Sequence, residues 1–237
     1  AIPPPPSKVA TAPATPEAKA KARAWLAKAA QLAGGSAAWA AVKGVEVEQT
    51  STLSMQGQQL ELKGKSTWVF PDRQLEIQAL PMGEIRQGVD GTSGWRATMG
   101  QVQDDPKAVA GIREEWERSL WRLIGQAGTV EAVALAEPVE VGGTKYAAAL
   151  VQGGAVRDLT LLFDADGRLA GIGYQGDGPQ GPARLELLYG DWQPAGAVQY
   201  PRSGTARMDG EVFLKSTVTS VKLDPVVPPD AFKKPGS

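Results

Sequence analysis

The first candidates for chemistry in this sequence are two acidic pairs. Asp164-Ala165-Asp166-Gly167 has the opening spacing of a calcium loop, where alternate carboxylates meet a hard cation. The position that would close such a loop with a bidentate glutamate is Gln175, so Asp166-Gly167 reads as a hairpin turn. Asp104-Asp105 could act as a paired acid and base. It stands directly before Pro106 and a helical run, however, where an aspartate caps a helix N-terminus. The serines and lysines lack the Ser-x-x-Lys spacing of acyl-transfer enzymes, and Ser203-Gly204-Thr205 reads as strand or turn. Gly171-Ile172-Gly173 lies between strands and lacks the glycine pattern that cradles a phosphate. The chain contains no histidine and no cysteine. That removes Ser-His-Asp catalysis, histidine or thiolate zinc sites, thiolate nucleophiles and disulfides. The expectation is a non-enzymatic protein without metal or other cofactor.

Bulk charge points the same way. Lys plus Arg total 25 against 26 Asp plus Glu, a formal net charge of -1. Such a balance carries neither the electrostatic footprint of nucleic-acid binding nor a polybasic face for anionic lipid. No apolar run is long enough to span a bilayer as a helix.

The elements that must position any site fall into three stretches. Residues 1–16 are proline-rich, with Pro3-Pro4-Pro5-Pro6 favouring polyproline II, and read as a linker to something upstream. Residues 17–237 read as one domain. Glu17 to Leu32 is a helix of Ala, Lys and Leu, with Ala22, Trp25, Leu26, Ala29 and Leu32 on one stripe. Gly34-Gly35 stops it, and Ser36 could cap a short turn to Ala41.

From Val42 the period becomes two: Val45 and Val47, then Leu60, Leu62, Ser66, Trp68 and Phe70, then Leu75 and Ile77 alternate with polar residues. Breaks fall at Gln56-Gly57, Pro71-Asp72, Pro81-Met82-Gly83 and Asp90-Gly91, and Trp95 to Met99 makes a further strand. Asp105-Pro106 opens a second helix running to Gly125, with Val109, Ile112, Trp116, Leu120 and Leu123 as its stripe and Glu114–Arg118 paired on the wet side. Strands then resume at Tyr146–Leu150, Leu159–Phe163, Leu169–Tyr174, Arg184–Tyr189, Val198–Met208 and Glu211–Leu223. The count is about eleven strands, and the tail Pro225–Pro229 ends the sheet.

There are seven tryptophans. Trp25 and Trp116 lie on helix stripes, Trp68 and Trp95 in or beside strands, and Trp192 closes one. They fit either a solid core or an aromatic-lined cavity between sheet and helices. Trp39 and Trp121 fall outside both patterns and, if exposed, would mark a patch for a partner.

The order of several short motifs is also informative. Trp68-Val69-Phe70-Pro71-Asp72-Arg73 is followed by Asp90-Gly91-Thr92-Ser93-Gly94-Trp95 and a helix. Later come Phe163-Asp164-Ala165-Asp166-Gly167-Arg168-Leu169, Tyr189-Gly190-Asp191-Trp192, Gly196-Ala197-Val198-Gln199-Tyr200-Pro201 and Val227-Pro228-Pro229-Asp230-Ala231-Phe232. In this order the sequence resembles the bacterial outer-membrane lipoprotein carrier (LolA/LolB-like) superfamily from Glu17 to Pro235. The resemblance implies a mainly β (α+β) fold: a single curved antiparallel sheet, an unclosed barrel with helices covering the open side. It implies a periplasmic protein that binds lipid or lipoprotein acyl chains in an apolar cavity between sheet and helices. The residues expected to line that cavity are Val47, Leu62, Trp68, Leu75, Ile77, Trp95, Ile112, Trp116, Leu120, Leu161, Phe163 and Leu185.

Two departures stand out. Where the carriers place a basic residue before the proline matching Pro71, this chain has Phe70, and it has no cysteine for a lipid anchor. Similar domains also resemble modules fused behind M16-type zinc peptidases. That relation would make the domain an accessory or interaction module of a larger envelope protein, with envelope proteins or an upstream domain as its partners.

Overall fold

The computed structural model describes residues 14–236 apart from 56, 82, 179, 180 and 229. Most of the proline-rich start, residues 1–13, therefore lies outside the described residues, as do Gln56, Met82 and Pro229 of the expected turns and tail. The first helix, α1 (Pro16–Leu32), begins as its sequence dictates: Pro16 takes the first position and the Thr15 hydroxyl accepts from the Ala18 N–H at 3.2 Å. It buries Ala22, Leu26, Ala29 and Ala30. Gly34 and Gly35 end it at φ of 102° and 95°. A Cβ on Gly34 would stand 2.7 Å from the Ala197 carbonyl oxygen, so both the turn and the packing there require glycine. Ser36 opens α2 (Ser36–Ala41) without capping it by its side chain.

Six strands follow: β1 (Gly44–Met55), β2 (Gln58–Val69), β3 (Arg73–Leu80), β4 (Gly83–Asp90), β5 (Ser93–Thr98) and β6 (Gln101–Asp104). Asp105 then caps α3 (Pro106–Arg118), its carboxylate accepting from the Lys107 N–H at 3.1 Å. The single long helix expected to Gly125 is instead two. Ser119 breaks it, donating to the Trp116 carbonyl at 2.9 Å and accepting from the Arg122 N–H at 3.2 Å to start α4 (Leu120–Gly125). The remaining strands are β7 (Ala132–Ala134), β8 (Val139–Val141), β9 (Thr144–Val151), β10 (Arg157–Phe163), β11 (Leu169–Gly178), β12 (Gly181–Ala195), β13 (Val198–Met208) and β14 (Glu211–Leu223).

The described strands form one antiparallel, unclosed sheet of 14 rather than about eleven. The additional strands are the short β6, β7 and β8, of three or four residues each, too brief to show a period. The order is β6-β5-β4-β3-β2-β1-β14-β13-β12-β11-β10-β9-β7, with β8 paired to β9. The chain therefore leaves the sheet at one edge and re-enters at the other, and β1 pairs with β14 in the middle. The connection between the two edges contains α3 and α4, so these helices lie across the concave face. There α3 packs on β4 and β5, α4 packs on α2 and α3, and α1 packs on β7.

The core follows from that layout. Leu26, Trp39, Leu123, Ile124, Leu161, Phe163 and Ile172 are buried in one cluster under α1, α2 and α4. Each such side chain contributes roughly 1.5–3 kcal/mol of transfer free energy. Helices thus fill the concave face over β9–β11 and over β4–β5, and the middle of the sheet is left less covered.

Candidate ligand cavity

That uncovered middle holds a cavity of about 410 Å³ between β1–β3 and β11–β14 on the sheet side and α3–α4 above. The size lies within the range of small-molecule sites, about 300–1,000 Å³. Strand register says which side chains reach it. Val45, Val47 and Gln49 pair with Trp68, Ser66 and Gly64, which pair in turn with Gln74, Glu76 and Gln78. One face of this ladder is the cavity wall, and the opposite face carries the Lys65–Glu46 and Lys222–Glu46 ion pairs at 2.9 and 3.0 Å. On the other half of the sheet, Ile172, Tyr174, Leu187, Tyr189 and Tyr200 line the same space.

Of the residues expected to line a cavity, the structure brings together Val47, Trp68, Ile77 and Leu120. Leu62 and Leu185 share their strands' inward face, being in phase with Trp68 and Leu187, but lie beyond the cavity. Leu161 and Phe163 are wholly buried, the Phe163 ring lying 5.6 Å from that of Trp25 on α1. Ile112 is buried beneath α3. Trp116 packs against Trp68 and Phe70 at ring separations of 6.0 and 5.5 Å, behind the cavity wall.

Leu75 and Trp95 lie on the other face of the sheet. Register aligns Thr67, Leu75, Gly88 and Trp95 there, and the C-terminal segment covers them: Trp95 Nε1 donates to the Phe232 carbonyl at 2.8 Å, and Phe232 is 1% exposed. Ile77 borders the cavity although its register is in phase with Leu75. The alternation in β3 is therefore inverted with respect to the expectation: its polar residues face inward and its apolar ones outward. The outward face is apolar because the chain's own C-terminal segment makes it a second buried surface.

Inversion places acids where an all-apolar wall was expected. Glu76 of β3 and Glu115 of α3 both line the cavity, as does Arg118. Gln74 Nε2 donates to Glu115 Oε1 at 3.0 Å. Burial and the neighbouring Glu115 charge push the Glu76 carboxyl up to about 7, with Arg118 opposing. Burial also pushes the Glu115 carboxyl up, against Arg118 and the Gln74 hydrogen bond. The Arg118 guanidinium stacks over Tyr174 at 5.0 Å and reaches Glu114 at 4.0 Å, so it does not lie simply on a wet helix face. Sequence reasoning missed Glu76 and Glu115. The available signal was the phase of β3, which a period-two pattern leaves undetermined.

Trp39 and Trp121 are buried rather than exposed, with ring centroids 4.5 Å apart. Trp39 Nε1 donates to the Ala33 carbonyl at 2.8 Å. Trp121 extends the cluster to Phe70 and to Tyr200, at 5.0 and 6.0 Å, and itself lines the cavity. Phe70, at the position where a basic residue would stand in the resembling carriers, is thus part of an aromatic wall. Asp164–Gly167 forms the expected turn: the Arg168 N–H donates to the Asp164 carboxylate at 2.8 Å, and the Gly167 N–H to the Asp164 carbonyl at 3.0 Å. Among the described residues, no group of three or more acidic side chains could hold a metal ion.

An open antiparallel sheet with helices laid across its concave face is the LolA-like fold. A LolA superfamily protein from Nitrosomonas europaea superposes with a TM-score of 0.56 at 12% identity, over 90% of this chain and 97% of that one. A DUF1329 family protein from Desulfovibrio piger gives 0.55 at 8% identity, with the same coverages of 90% and 97%. An outer membrane lipoprotein-sorting protein domain from Vibrio parahaemolyticus gives 0.51 at 8% identity, over 86% of this chain and 97% of that one. No protein-family model matches the chain, and no curated protein matches it in sequence.

Proposed function

We propose that this domain binds the apolar part of a lipid, or the acyl chains of a lipoprotein, on the concave face of its sheet, in the bacterial periplasm and without catalysis. The observation that carries the reading is the 410 Å³ cavity walled by Trp68, Trp121, Leu120, Val47 and Leu187. Burying each CH₂ group contributes roughly 0.8 kcal/mol, so a short length of chain in such a space supplies useful affinity. The lipoprotein-sorting domain and the LolA superfamily protein that share the fold support the envelope setting.

Gly64 provides the test. It lies on the cavity wall, and a Cβ there meets nothing closer than Gln49 Cγ at 3.5 Å, so a side chain would project into the cavity without clash. Native mass spectrometry of the periplasmically expressed protein is expected to show co-purifying lipid. Gly64→Leu is expected to lose it while melting no lower than the wild type, since glycine within a strand is itself unfavourable. Wild-type protein that takes up no lipid or alkyl probe would overturn the reading.

A further inference from the structure

A cavity for alkyl chains alone has no use for carboxylates, yet this one holds two, presented from opposite walls. Among the described residues, no hydrogen bond reaches the Glu76 carboxylate. Glu115 has only the Gln74 amide at 3.0 Å. The charged group facing them is Arg118, which is shared with Tyr174 and with Glu114. Gln74 and Gln78 flank Glu76 on its strand, and Tyr174, Tyr189 and Tyr200 face the pair from the other half of the sheet. Besides its burial, the Tyr200 hydroxyl feels Arg202 first and Glu115 after it, and the buried Tyr189 hydroxyl feels Tyr200, Tyr174 and Arg118, which puts these groups in one electrostatic neighbourhood. Lys65 also borders the cavity, but its ammonium turns to Glu46 and Glu48 on the opposite face at 2.9 and 3.8 Å, and Arg202, beside Tyr200, donates to the Pro194 carbonyl at 3.3 Å. Of the charged residues that border the cavity, Arg118 is then the cation set against the two acids. Aromatic rings, Trp68 and Trp121 among them, line the same space, and such rings attract cations to their faces.

We infer that the cavity selects amphiphiles whose polar end carries an ammonium group, seated between Glu76 and Glu115 beside these rings, with the alkyl part lying along the concave wall. The inference rests on the lipid-binding reading above and names the headgroup that reading leaves open. An anionic head would meet the two carboxylates and be disfavoured. In the empty cavity a proton on Glu76 relieves the repulsion between the acids, and an ammonium ligand takes over that role. Binding therefore releases a proton and weakens as the pH falls below about 7.

The test is calorimetry on the intact chain with three ten-carbon probes kept below their micelle-forming concentrations: decyltrimethylammonium, decyl maltoside and decanoate. At about pH 8.5 the ammonium probe is expected to bind roughly tenfold more tightly than the neutral one. That preference, read as the ratio of the two affinities in the same protein and buffer, should disappear at about pH 5.5 and in Glu76→Gln. At about pH 6.5, where Glu76 of the empty cavity is largely protonated, heats measured in buffers of different ionisation enthalpy should show proton release for the ammonium probe only. Lysophosphatidylethanolamine and lysophosphatidylglycerol separate the sources of the ammonium group. A preference for the former assigns a zwitterionic lipid head, and failure of both beside binding of the simple ammonium assigns a free alkylamine. Equal affinity for all three ten-carbon probes, or a preference unmoved by Glu76→Gln, overturns the headgroup assignment and leaves the lipid reading standing. No binding of any probe removes the lipid reading itself.

Discussion

Gln74 and Glu115 are joined by a hydrogen bond of 3.0 Å that ties the sheet to the helix laid across it. The bond is the polar counterpart of the apolar contacts by which α3 rests on β4 and β5, and it aims the Glu115 carboxyl at the cavity. Replacing Gln74 by Leu keeps the volume and removes the donor. The variant is expected to lose about 1–2 kcal/mol near pH 8, where a buried acceptor is left unsatisfied. Because burial raises the Glu115 carboxyl, the loss should shrink as the pH is lowered toward about 5 and protonation takes over from the lost bond. Urea titrations at the two pH values measure both effects, and equal losses would show that the bond does not bear on the charge of Glu115.

Glu76 has a consequence for stability apart from any ligand. Its carboxyl is pushed up to about 7 in the folded protein from an ordinary 4.5, so between those values the native state holds a proton that the unfolded chain has released. Stability then falls as the pH rises through that window and levels off above it, and burial of Glu115 adds to the same slope. Glu76→Gln, neutral at every pH, is expected to flatten the slope and to be more stable than the wild type by about 1–2 kcal/mol near pH 8. Denaturation midpoints across pH 4 to 9 give the comparison, and parallel curves for the two proteins would contradict it.

Much of the fold was legible because its signals are local. Asp105-Pro106, Gly34-Gly35 and Asp166-Gly167 mark a helix start, a helix stop and a hairpin by chemistry that needs no tertiary context. The period-two runs located most strands. A period, however, carries no phase. Leu75 and Ile77 read as inward only on the assumption that one face of the sheet is wet, whereas Phe232, some 150 residues further on, covers the outer face there and reverses the sense of the pattern. The cavity's two acids were hidden by that reversal. Ser119 could have been read as a second N-cap within the long helix, since serine is favoured there. The burial of Trp39 and Trp121 had no local signal, because it depends on α2 meeting α4, elements about 80 residues apart.

Phe232 closes the outer face. It is 1% exposed, lies 5.7 Å from the Arg73 guanidinium, and carries the carbonyl to which Trp95 Nε1 donates. Phe232→Ala is expected to destabilise the protein by about 2–4 kcal/mol, somewhat less than a central core truncation because a segment near the chain end can relax. Amide exchange should rise selectively in β3–β5, whose outer face the segment covers. A uniform increase across the sheet would instead mean that the segment belongs to the global folding unit.

The seam where β1 meets β14 depends on one carboxylate in an unusual backbone conformation. Asp224 Oδ1 accepts from the N–H groups of Lys43 and Gly44 at 2.6 and 3.1 Å, while its own N–H donates to the Gly44 carbonyl at 2.8 Å. Its φ is +49°, a left-handed geometry that aspartate and asparagine tolerate better than most residues. Asp224→Ala loses the shared acceptor and gains backbone strain together, for an expected cost of about 2–3 kcal/mol. Asp224→Asn keeps a carbonyl acceptor and the tolerated φ and loses only the negative charge, so about 1 kcal/mol or less is expected. Chemical denaturation of the two variants separates the contributions. Equal destabilisation would assign the whole effect to the charge, and an alanine variant as stable as the wild type would show that the seam holds without this clasp.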